Sequence, residues 1–306
     1  MLPNAFQVRL QTAAEAVEAH LAAILVDDAR PGERRRPVRL MQAMRHAALG
    51  GGKRLRPFLT IETGRLCGAP EAAALRAGCA IELVHCYSLV HDDLPSMDDD
   101  EVRRGRPTVH RAFDEATAIL AGDGLLTLAF DVLADEATHA RAEVRGALVA
   151  GLARAAGAGG MVGGQMHDLA AEGRFGTAAL GEPEIRELQA MKTGAILAFA
   201  VRAGALVGEA PADARRHLDT YGAALGAAFQ VADDLLDYEG DSAAVGKRTG
   251  KDAAAGKATL VAALGPDGAR ARCAALVDEA IASLVGFGPE ADILREAARF
   301  VAVRRT

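Results

Sequence analysis

The sequence has no tryptophan, and aromatic residues make up only 4% of its 306 residues. Alanine, leucine and glycine dominate instead. Because alanine and leucine are strong helix formers, this composition favours an all-α fold. Half of the residues are hydrophobic, and helical proteins of this length often form one unit. We therefore expect a single domain that spans residues 1–306.

The chain also has no excess of positive charge and no paired cysteines. Its net charge of −6 argues against a protein that binds nucleic acid. Its cysteines show neither a CxxC pair nor the His/Cys spacing of a metal site. We therefore expect reduced core thiols, as in a cytoplasmic protein, at Cys67, Cys79, Cys86 and Cys273.

Long apolar runs are missing as well. No uninterrupted run approaches the roughly 18 to 20 residues that span a membrane, because Gly, Arg or Asp interrupts the longest ones. The first residues, MLPNAFQVRLQ, lack the basic and then apolar pattern of a signal peptide. These absences predict a cytoplasmic protein without membrane insertion.

Apolar residues recur at helical spacing along most of the chain. The segment 71–91 is apolar on most of its sides, which is typical of a central helix. We expect a kink near Gly122–Gly124, and close helix approach at the glycines of residues 157–164. The predicted helices cover residues 3–26, 38–49, 71–91, 109–133, 141–171, 184–201, 212–238 and most of 259–303.

Two clusters of aspartates follow apolar helices. Five lie between residues 92 and 100, with three arginines just after them, and Asp233, Asp234 and Asp237 share one helical face. Carboxylates in contact repel by about 1 kcal/mol per pair even in water. A divalent cation such as Mg²⁺ would offset this repulsion, and arginine forks would bind its phosphate partners. For the first cluster alone, an acidic turn followed by a basic turn, both solvated, explains the pattern equally well.

Basic residues for phosphates occur at several further places. Triple glycine precedes Lys53 and Arg56, and a helix is expected to start at Pro57. Cations at a helix N-terminus conflict with its dipole unless an anion lies between them. Lys192 lies among apolar residues, and residues 246–259 form a basic, glycine-rich loop. Together with the apolar interior, these groups predict a pocket for an apolar chain with a diphosphate head.

The motifs GGKRLRP, DDLPSMD with RRGRP, KTG, FQVADDLLD and GKRTGKD, in this order, resemble those of short-chain trans-polyprenyl diphosphate synthases. The four residues between Asp93 and Asp98 resemble the bacterial farnesyl diphosphate synthase form. The resemblance implies the isoprenoid synthase fold, a single large helical bundle around a central cavity. It also implies a homodimer, three Mg²⁺ ions per active site with Mn²⁺ as a substitute, and the substrates isopentenyl, dimethylallyl and geranyl diphosphate.

The resemblance also implies a role for each matching residue. The metal ligands would be Asp92, Asp98, Asp233 and Asp237. The allylic diphosphate would be bound by Arg103, Lys192, Lys247 and Lys257, and isopentenyl diphosphate by Lys53, Arg56, His85 and Arg104. Thr193 and Gln230 would place oxygen dipoles near the developing allylic cation. The catalytic set would be Asp92, Asp93, Asp98, Lys192, Asp233 and Lys247.

Two residues on the helix before Asp92 are expected to set product length. Ser88 and Tyr87 lie about 6 to 7.5 Å deeper along the helix, where the growing tail would descend. Small Ser88 leaves room for a ten-carbon substrate, and bulky Tyr87 would form the floor, as in the farnesyl class. Plain core packing is the alternative for Tyr87.

Three rival functions are considered. A geranylgeranyl diphosphate synthase is the nearest one. A class I terpene cyclase has no need for a second diphosphate site such as Lys53, Arg56 and His85. A non-catalytic partner subunit would lose aspartates or basic residues, and here both sets are complete.

Overall fold

The computed structural model describes residues 4–30, 32–176, 180–239 and 259–303. Helices dominate these residues, and the all-α fold class is confirmed. The helices are α1 (Ala5–Ile24), α2 (Val38–Ala48), α3 (Leu55–Leu66), α4 (Glu71–Asp92), α5 (Val109–Ala112), α6 (Glu115–Ala134), α7 (Ala142–Ala156), α8 (Met161–Ala171), α9 (Glu182–Gln189), α10 (Ala195–Val207), α11 (Ala212–Glu239), α12 (Leu260–Ser283) and α13 (Asp292–Val303). A π-helical turn (Ala190–Gly194) joins α9 to α10, a 3₁₀ segment (Val285–Ala291) precedes α13, and two short strands, β1 (Val102–Arg103) and β2 (Arg106–Pro107), pair antiparallel.

Helix α4 is the centre of the bundle, as its apolar pattern predicted. It packs against α3, α6 and α10, and most of its residues are buried. The buried hydrophobic core includes residues from every helix between α1 and α4 and continues to α13. Because α4 ends at Asp92, this packing fixes the position of the first aspartate cluster.

The helix expected over residues 109–133 is broken earlier than predicted. Short α5 ends at Ala112, and α6 then runs without a break through Gly122. The break occurs at Asp114, whose Oδ1 accepts the backbone N–H of Thr117 at 2.8 Å. Aspartate is favoured at a helix N-cap, where its side chain accepts a free backbone N–H of the first turn, and is less favourable inside a helix. Asp114 therefore starts α6 instead of extending α5. Gly122 serves packing instead, because a Cβ there would lie 2.1 Å from His91 Nε2.

Three other segments differ in detail from the expected helices. The segment 141–171 forms two helices, because Gly157 and Gly160 leave helical geometry. Helix α3 begins two residues before Pro57, which still lies in the first turn, where its missing N–H costs nothing. The segment over 184–201 is helical as expected, but it contains the π turn. The expectation of close packing is confirmed at Gly164, where a Cβ would lie 2.3 Å from Lys192 N.

Four helical segments of the described chain are long and apolar enough to cross a membrane by length and composition. The expectation based on uninterrupted runs did not detect them, because an averaged window tolerates a few charged residues. Within the fold, 72% of the α4 window is buried, but only 28% of the window spanning α7 and α8. The segments are Glu71–Asp92, Glu115–Ala134, Ala142–Ala171 and Glu182–Val207.

Candidate active site

The loop after α4 folds back onto the end of that helix. The backbone N–H of Asp98 donates to the carbonyl of Asp92 at 2.9 Å, and Leu94 O accepts the N–H groups of Met97 and Asp99. These hydrogen bonds close the loop, so two aspartates six positions apart in sequence become neighbours. Sequence spacing alone predicted the cluster, and the loop hydrogen bonds give it a defined geometry.

The carboxylates of this loop repel one another. Burial, followed by the negative charges of Asp98 and Asp93, raises the pKa of Asp92 to about 6, although Lys192 and Arg103 act in the opposite direction. The same charges show that four of the predicted site residues surround Asp92. Ionisation of Asp92 is therefore less favourable in the fold than in water, and a bound cation would favour it.

A two-residue turn separates the arginines that follow. Strands β1 and β2 pair Arg103 with Arg106, and the turn between them is Arg104–Gly105, with φ of 52° and 72°. Two left-handed residues are the requirement of the tightest hairpin turn. Because the hairpin is so short, its arginines reach different neighbours.

Arg103 reaches the aspartate loop. Its Nε and Nη2 both lie 2.6 Å from Asp93 Oδ1, and Nη2 lies 3.3 Å from Asp100 Oδ2. Asp93 is only 3% exposed. Burial raises the pKa of Asp93, while the hydrogen bond from Arg103 partly offsets that effect. Asp93 is thus the partner of an arginine rather than an outward-facing metal ligand.

Arg104 reaches the glycine loop instead. Its Nη1 donates to Gly51 O at 2.7 Å, and Arg106 Nη1 donates to Leu49 O at 2.7 Å. All three glycines of residues 50–52 have positive φ, and a Cβ at Gly52 would lie 2.9 Å from the Arg104 guanidinium. The positive φ favours glycine at all three positions, and Gly50 and Gly52 also leave room for the guanidinium groups of Arg106 and Arg104.

The remaining residues predicted to bind isopentenyl diphosphate lie beside this loop. Lys53 is exposed, with Nζ 5.3 Å from the centre of the Phe300 ring, and Arg56 is half-buried. Burial of the ring, followed by the positive charges of Arg56 and Arg104, lowers the pKa of His85 well below its ordinary value. The imidazole is therefore neutral at neutral pH, and the surrounding cations favour an anion.

A pocket opens between these two groups of residues. The hairpin, the glycine loop and α4 form its walls, and Arg103, Arg104 and Asp93 belong to its lining. The same pocket reaches the α4 residues Cys86, Leu89 and Val90. Charged groups and apolar groups therefore meet at one opening.

Lys192 lies on the π turn, where it faces α8. Its Nζ lies 2.5 Å from Asp168 Oδ2. Gly164 of α8 and Gly226 of α11 both lack the Cβ that would collide with this turn. Thr193, the next residue, is half-buried. A π turn inserted in a helix is common at functional sites, and here it carries the KTG motif.

The second aspartate cluster divides between two directions. Asp233 is exposed and Asp237 is half-buried, but Asp234 is only 5% exposed. The Asp234 carboxylate accepts hydrogen bonds from Gln189 at 2.7 Å, Gln230 at 3.2 Å and the Leu260 backbone at 2.9 Å. Burial raises its pKa to about 6. Asp234 therefore links α11 to α9 and α12. The expectation that all three carboxylates share one face is wrong for Asp234, which is turned into the interior.

Gln230 consequently has a structural partner that sequence reasoning missed. Its amide nitrogen donates to Asp234, so its oxygen is not used in that bond.

Tyr87 is 6% exposed, and its ring packs edge to face against His91 at 5.6 Å. Ser88 Oγ donates to His85 O at 2.9 Å. Lys247 and Lys257 lie outside the described residues.

Arg174 is a functional candidate that the sequence did not reveal. From the turn after α8 it donates to Ser96 O at 2.9 Å and to Met97 O at 2.7 Å. It thus ties a second segment to the aspartate loop. A single arginine in a glycine-containing turn gives no signal by which its partner could be predicted.

The carboxylates suit Mg²⁺ that is shared with phosphates. Within the described part of the chain, no group of three or more His, Cys, Asp or Glu side chains forms a metal cluster. Mg²⁺ normally uses one or two protein carboxylates and completes its shell with water and substrate phosphates. The neighbouring Asp92 and Asp98, with the raised pKa of Asp92, fit that requirement.

Comparisons with known proteins agree with this geometry. The polyprenyl synthetase family model matches residues 37–283. The chain is 46% identical over 245 residues to a farnesyl diphosphate synthase of Geobacillus stearothermophilus, which covers 80% of this chain and 81% of that protein. It is 40% identical over 256 residues to a chloroplastic geranylgeranyl pyrophosphate synthase of Catharanthus roseus, which covers 84% and 71%.

A solved structure gives the same result. The apo structure of an FPP/GFPP synthase from Zymomonas mobilis superposes with a TM-score of 0.86 at 45% identity, covering 97% of this chain and 99% of that one. The resemblance inferred from the motifs is therefore confirmed. Sequence and fold agree over nearly the whole length: the chain belongs to the polyprenyl synthetase family.

Proposed function

We propose that this chain is a prenyltransferase that condenses isopentenyl diphosphate with dimethylallyl and then geranyl diphosphate to give (2E,6E)-farnesyl diphosphate. One observation carries the proposal. A single hairpin directs Arg103 to the aspartate loop and Arg104 to the glycine loop. Two adjacent anion sites are what a reaction between two diphosphate substrates needs. The farnesyl diphosphate synthase relative supports the choice of product.

The allylic diphosphate occupies the aspartate side. Asp92 and Asp98, together with Asp233 and Asp237 from α11, would hold three Mg²⁺ ions, for which Mn²⁺ could substitute. When bound, these ions neutralise the diphosphate and make it a better leaving group. Arg103 and Lys192 bind its oxygens, with Lys247 and Lys257 as further cations. The support is the charge pattern around Asp92.

Isopentenyl diphosphate occupies the glycine side. Lys53, Arg56 and Arg104 supply positive charge, and neutral His85 supplies a hydrogen bond. The exposed N–H groups of a glycine-rich turn also suit an anion. The substrate double bond would then point toward the allylic carbon.

The residues promote ionisation by electrostatics. The allylic C–O bond breaks, and the electron pair leaves with the diphosphate, which Arg103 and Lys192 stabilise. The double bond of isopentenyl diphosphate attacks the cation and forms the new C–C bond. A proton then leaves for the departed diphosphate. Thr193 and Gln230 contribute oxygen dipoles near the cation, and the apolar wall of α4 excludes water.

We further propose that the whole chain, residues 1–306, acts as one domain in a cytoplasmic homodimer without membrane insertion. Helix α6 supports the dimer, because Ile119 and Leu120 are 45% and 58% exposed. Apolar groups at this exposure suit a subunit interface. Light scattering after gel filtration tests the dimer, and fractionation of cells tests the location.

The function is tested with pure protein, Mg²⁺ and isopentenyl diphosphate. Dimethylallyl or geranyl diphosphate is added, and the products are dephosphorylated and separated by chromatography. We expect farnesol from both starters. Cyclic hydrocarbons formed without isopentenyl diphosphate would indicate a terpene cyclase, and no turnover would indicate a non-catalytic subunit. Geranylgeraniol as the main product would favour the rival suggested by the Catharanthus roseus relative.

A further inference from the structure

Arg54 lies between two proposed diphosphate ligands, yet its side chain is not at the site. Its neighbour Lys53 is exposed, whereas Arg54 is only 3% exposed. Its backbone has φ 48° and ψ 38° at the N-cap of α3, a left-handed conformation that is uncommon for a residue with a Cβ. Such a conformation persists only when surrounding contacts hold it.

Three polar contacts hold the Arg54 side chain. Nη1 donates to Glu82 Oε1 at 2.7 Å, and Nη2 donates to Glu18 Oε2 and to Ala48 O, both at 2.6 Å. The other oxygen of Glu18 accepts the backbone N–H of Gly50 at 2.8 Å. Arg54 therefore joins α1, α4 and both ends of the glycine loop through one guanidinium.

This network is largely shielded from water. The side chains of Arg54 and Glu82 are 1% and 2% exposed, and that of Glu18 is 37% exposed. Breaking one member of a buried charge pair leaves the other charge uncompensated. A planar guanidinium also fixes the directions of its partners, which a lysine cannot do.

The network supports the isopentenyl diphosphate side of the site. Glu82 lies one helical turn before His85 on α4, and Arg54 precedes Arg56 by two residues. Gly50 N–H binds Glu18, and the adjacent Gly51 carbonyl accepts from Arg104. Within the described part of the chain, these hydrogen bonds of Arg54 and Glu18 reach neither the aspartate loop nor Lys192. Disrupting these hydrogen bonds should therefore weaken binding of isopentenyl diphosphate and leave binding of the allylic diphosphate unchanged.

We propose that Arg54, held by Glu82 and Glu18, is the positioning residue that sets the geometry of the isopentenyl diphosphate site. The inference rests on the proposed function. It assigns Arg54 no contact with substrate, and it predicts selective loss of one substrate's binding.

The test compares Arg54→Lys, Glu82→Gln and Glu18→Gln with the parent enzyme. The Michaelis constants for isopentenyl and geranyl diphosphate are measured separately, each with the other substrate saturating. We expect KM for isopentenyl diphosphate to rise about tenfold or more in Glu82→Gln, with KM for geranyl diphosphate within about twofold. Arg54→Lys, which keeps the charge, should give a smaller increase of the same selectivity.

Glu62→Gln is the matched control. Glu62 lies on α3 and is 5% exposed. It pairs with Arg9 of α1, whose Nε lies 3.1 Å from Glu62 Oε1, so this pair joins α1 to α3 as Glu18 and Arg54 do. This variant removes a buried carboxylate charge away from the glycine loop. We expect a lower thermal midpoint and an unchanged ratio of the two KM values.

The outcomes separate the two proposals. If the parent enzyme forms no prenyl product, the proposed function fails. If the parent is active but the variants raise both KM values equally, or Glu62→Gln gives the same selectivity, the positioning role is overturned. If Glu82→Gln does not fold, Glu18→Gln tests the positioning role instead. In the parent, Glu18 bridges Arg54 and Gly50, and its carboxylate is half-exposed rather than buried.

Discussion

Arg103 and Asp93 hold each other beneath the aspartate loop, with both Nε and Nη2 of the arginine 2.6 Å from Asp93 Oδ1. Asp93 is the first residue after α4, and it is almost fully buried. The carboxylate therefore orients the guanidinium toward the pocket that both residues line. Under the proposed function, Asp93 would contribute to diphosphate binding through its partner, while its neighbour Asp92 would provide the metal-binding charge.

Asp93→Asn should therefore weaken use of the allylic substrate. Loss of the charge lets Arg103 adopt other orientations, and we expect kcat/KM for geranyl diphosphate to fall about 10- to 100-fold, or about 1.4 to 2.8 kcal/mol. Asp99→Asn is the control, because Asp99 is exposed in the same loop and asparagine tolerates its left-handed φ of 50°. Equal losses in both variants would contradict the specific role of the pair.

Product length should depend on Tyr87 and Ser88. Tyr87→Ala removes the proposed floor, so the product should lengthen beyond fifteen carbons, and Ser88→Phe fills the space above it, so the product should shorten to ten. Tyr87→Phe keeps the ring that packs on His91, and its product should not change. Chromatography of the dephosphorylated products measures all three. Unchanged product profiles in both Tyr87→Ala and Ser88→Phe would show that these two residues do not determine the chain length of the product.

Metal removal should stop the reaction. A chelator is expected to abolish turnover and Mg²⁺ to restore it, since the aspartate carboxylates and the diphosphate need compensation. Because Mg²⁺ normally completes its shell with substrate phosphates, Mg²⁺ alone should bind weakly. Calorimetry should show much tighter binding when a non-reactive allylic diphosphate analogue is present. Full turnover in excess chelator would contradict the proposed metal role.

The metal-free protein should become less stable as its aspartates ionise. The pKa of Asp92 is about 6 in the fold but near 3.8 when unfolded, so the folded state retains the proton between these values. Stability from this group is complete below about pH 4 and is lost as pH rises through about 6. Asp92→Asn should therefore raise the free energy of unfolding at pH 7.

We expect a gain of roughly 1 to 2 kcal/mol, which discounts the full shift because the carboxylate keeps some solvent contact. Urea unfolding of both proteins with chelator present, at pH 7 and pH 4.5, measures the effect. The gain should shrink at pH 4.5, where the parent carboxyl is protonated. A larger gain at pH 4.5 than at pH 7 would reverse the assigned sign.

Much of this site could be predicted from sequence, because its motifs are local. The aspartates after α4 and the triple glycine each form a short segment of sequence, so residue type and spacing were sufficient to locate both segments. The fold class followed from helical periodicity. Helix ends were less certain, since Asp114 offered a cap that a periodic pattern does not register.

Long-range partners could not be predicted in the same way. Asp234 shares the acidic motif of α11 but turns toward Gln189 and the Leu260 backbone. Arg54 belongs to a basic motif but pairs with carboxylates 28 and 36 residues away. One residue of rotation around a helix decides between solvent and interior, and sequence spacing does not resolve that difference when both faces carry similar residues.

The choice of allylic starter tests the proposed product most directly. With Mg²⁺ and saturating isopentenyl diphosphate, the initial rates with geranyl and with farnesyl diphosphate are compared under identical conditions. We expect rapid conversion of geranyl diphosphate to the fifteen-carbon product, with farnesyl diphosphate consumed at least about 100-fold more slowly. Comparable consumption of farnesyl diphosphate would contradict the proposed floor at Tyr87 and indicate a synthase of longer chains.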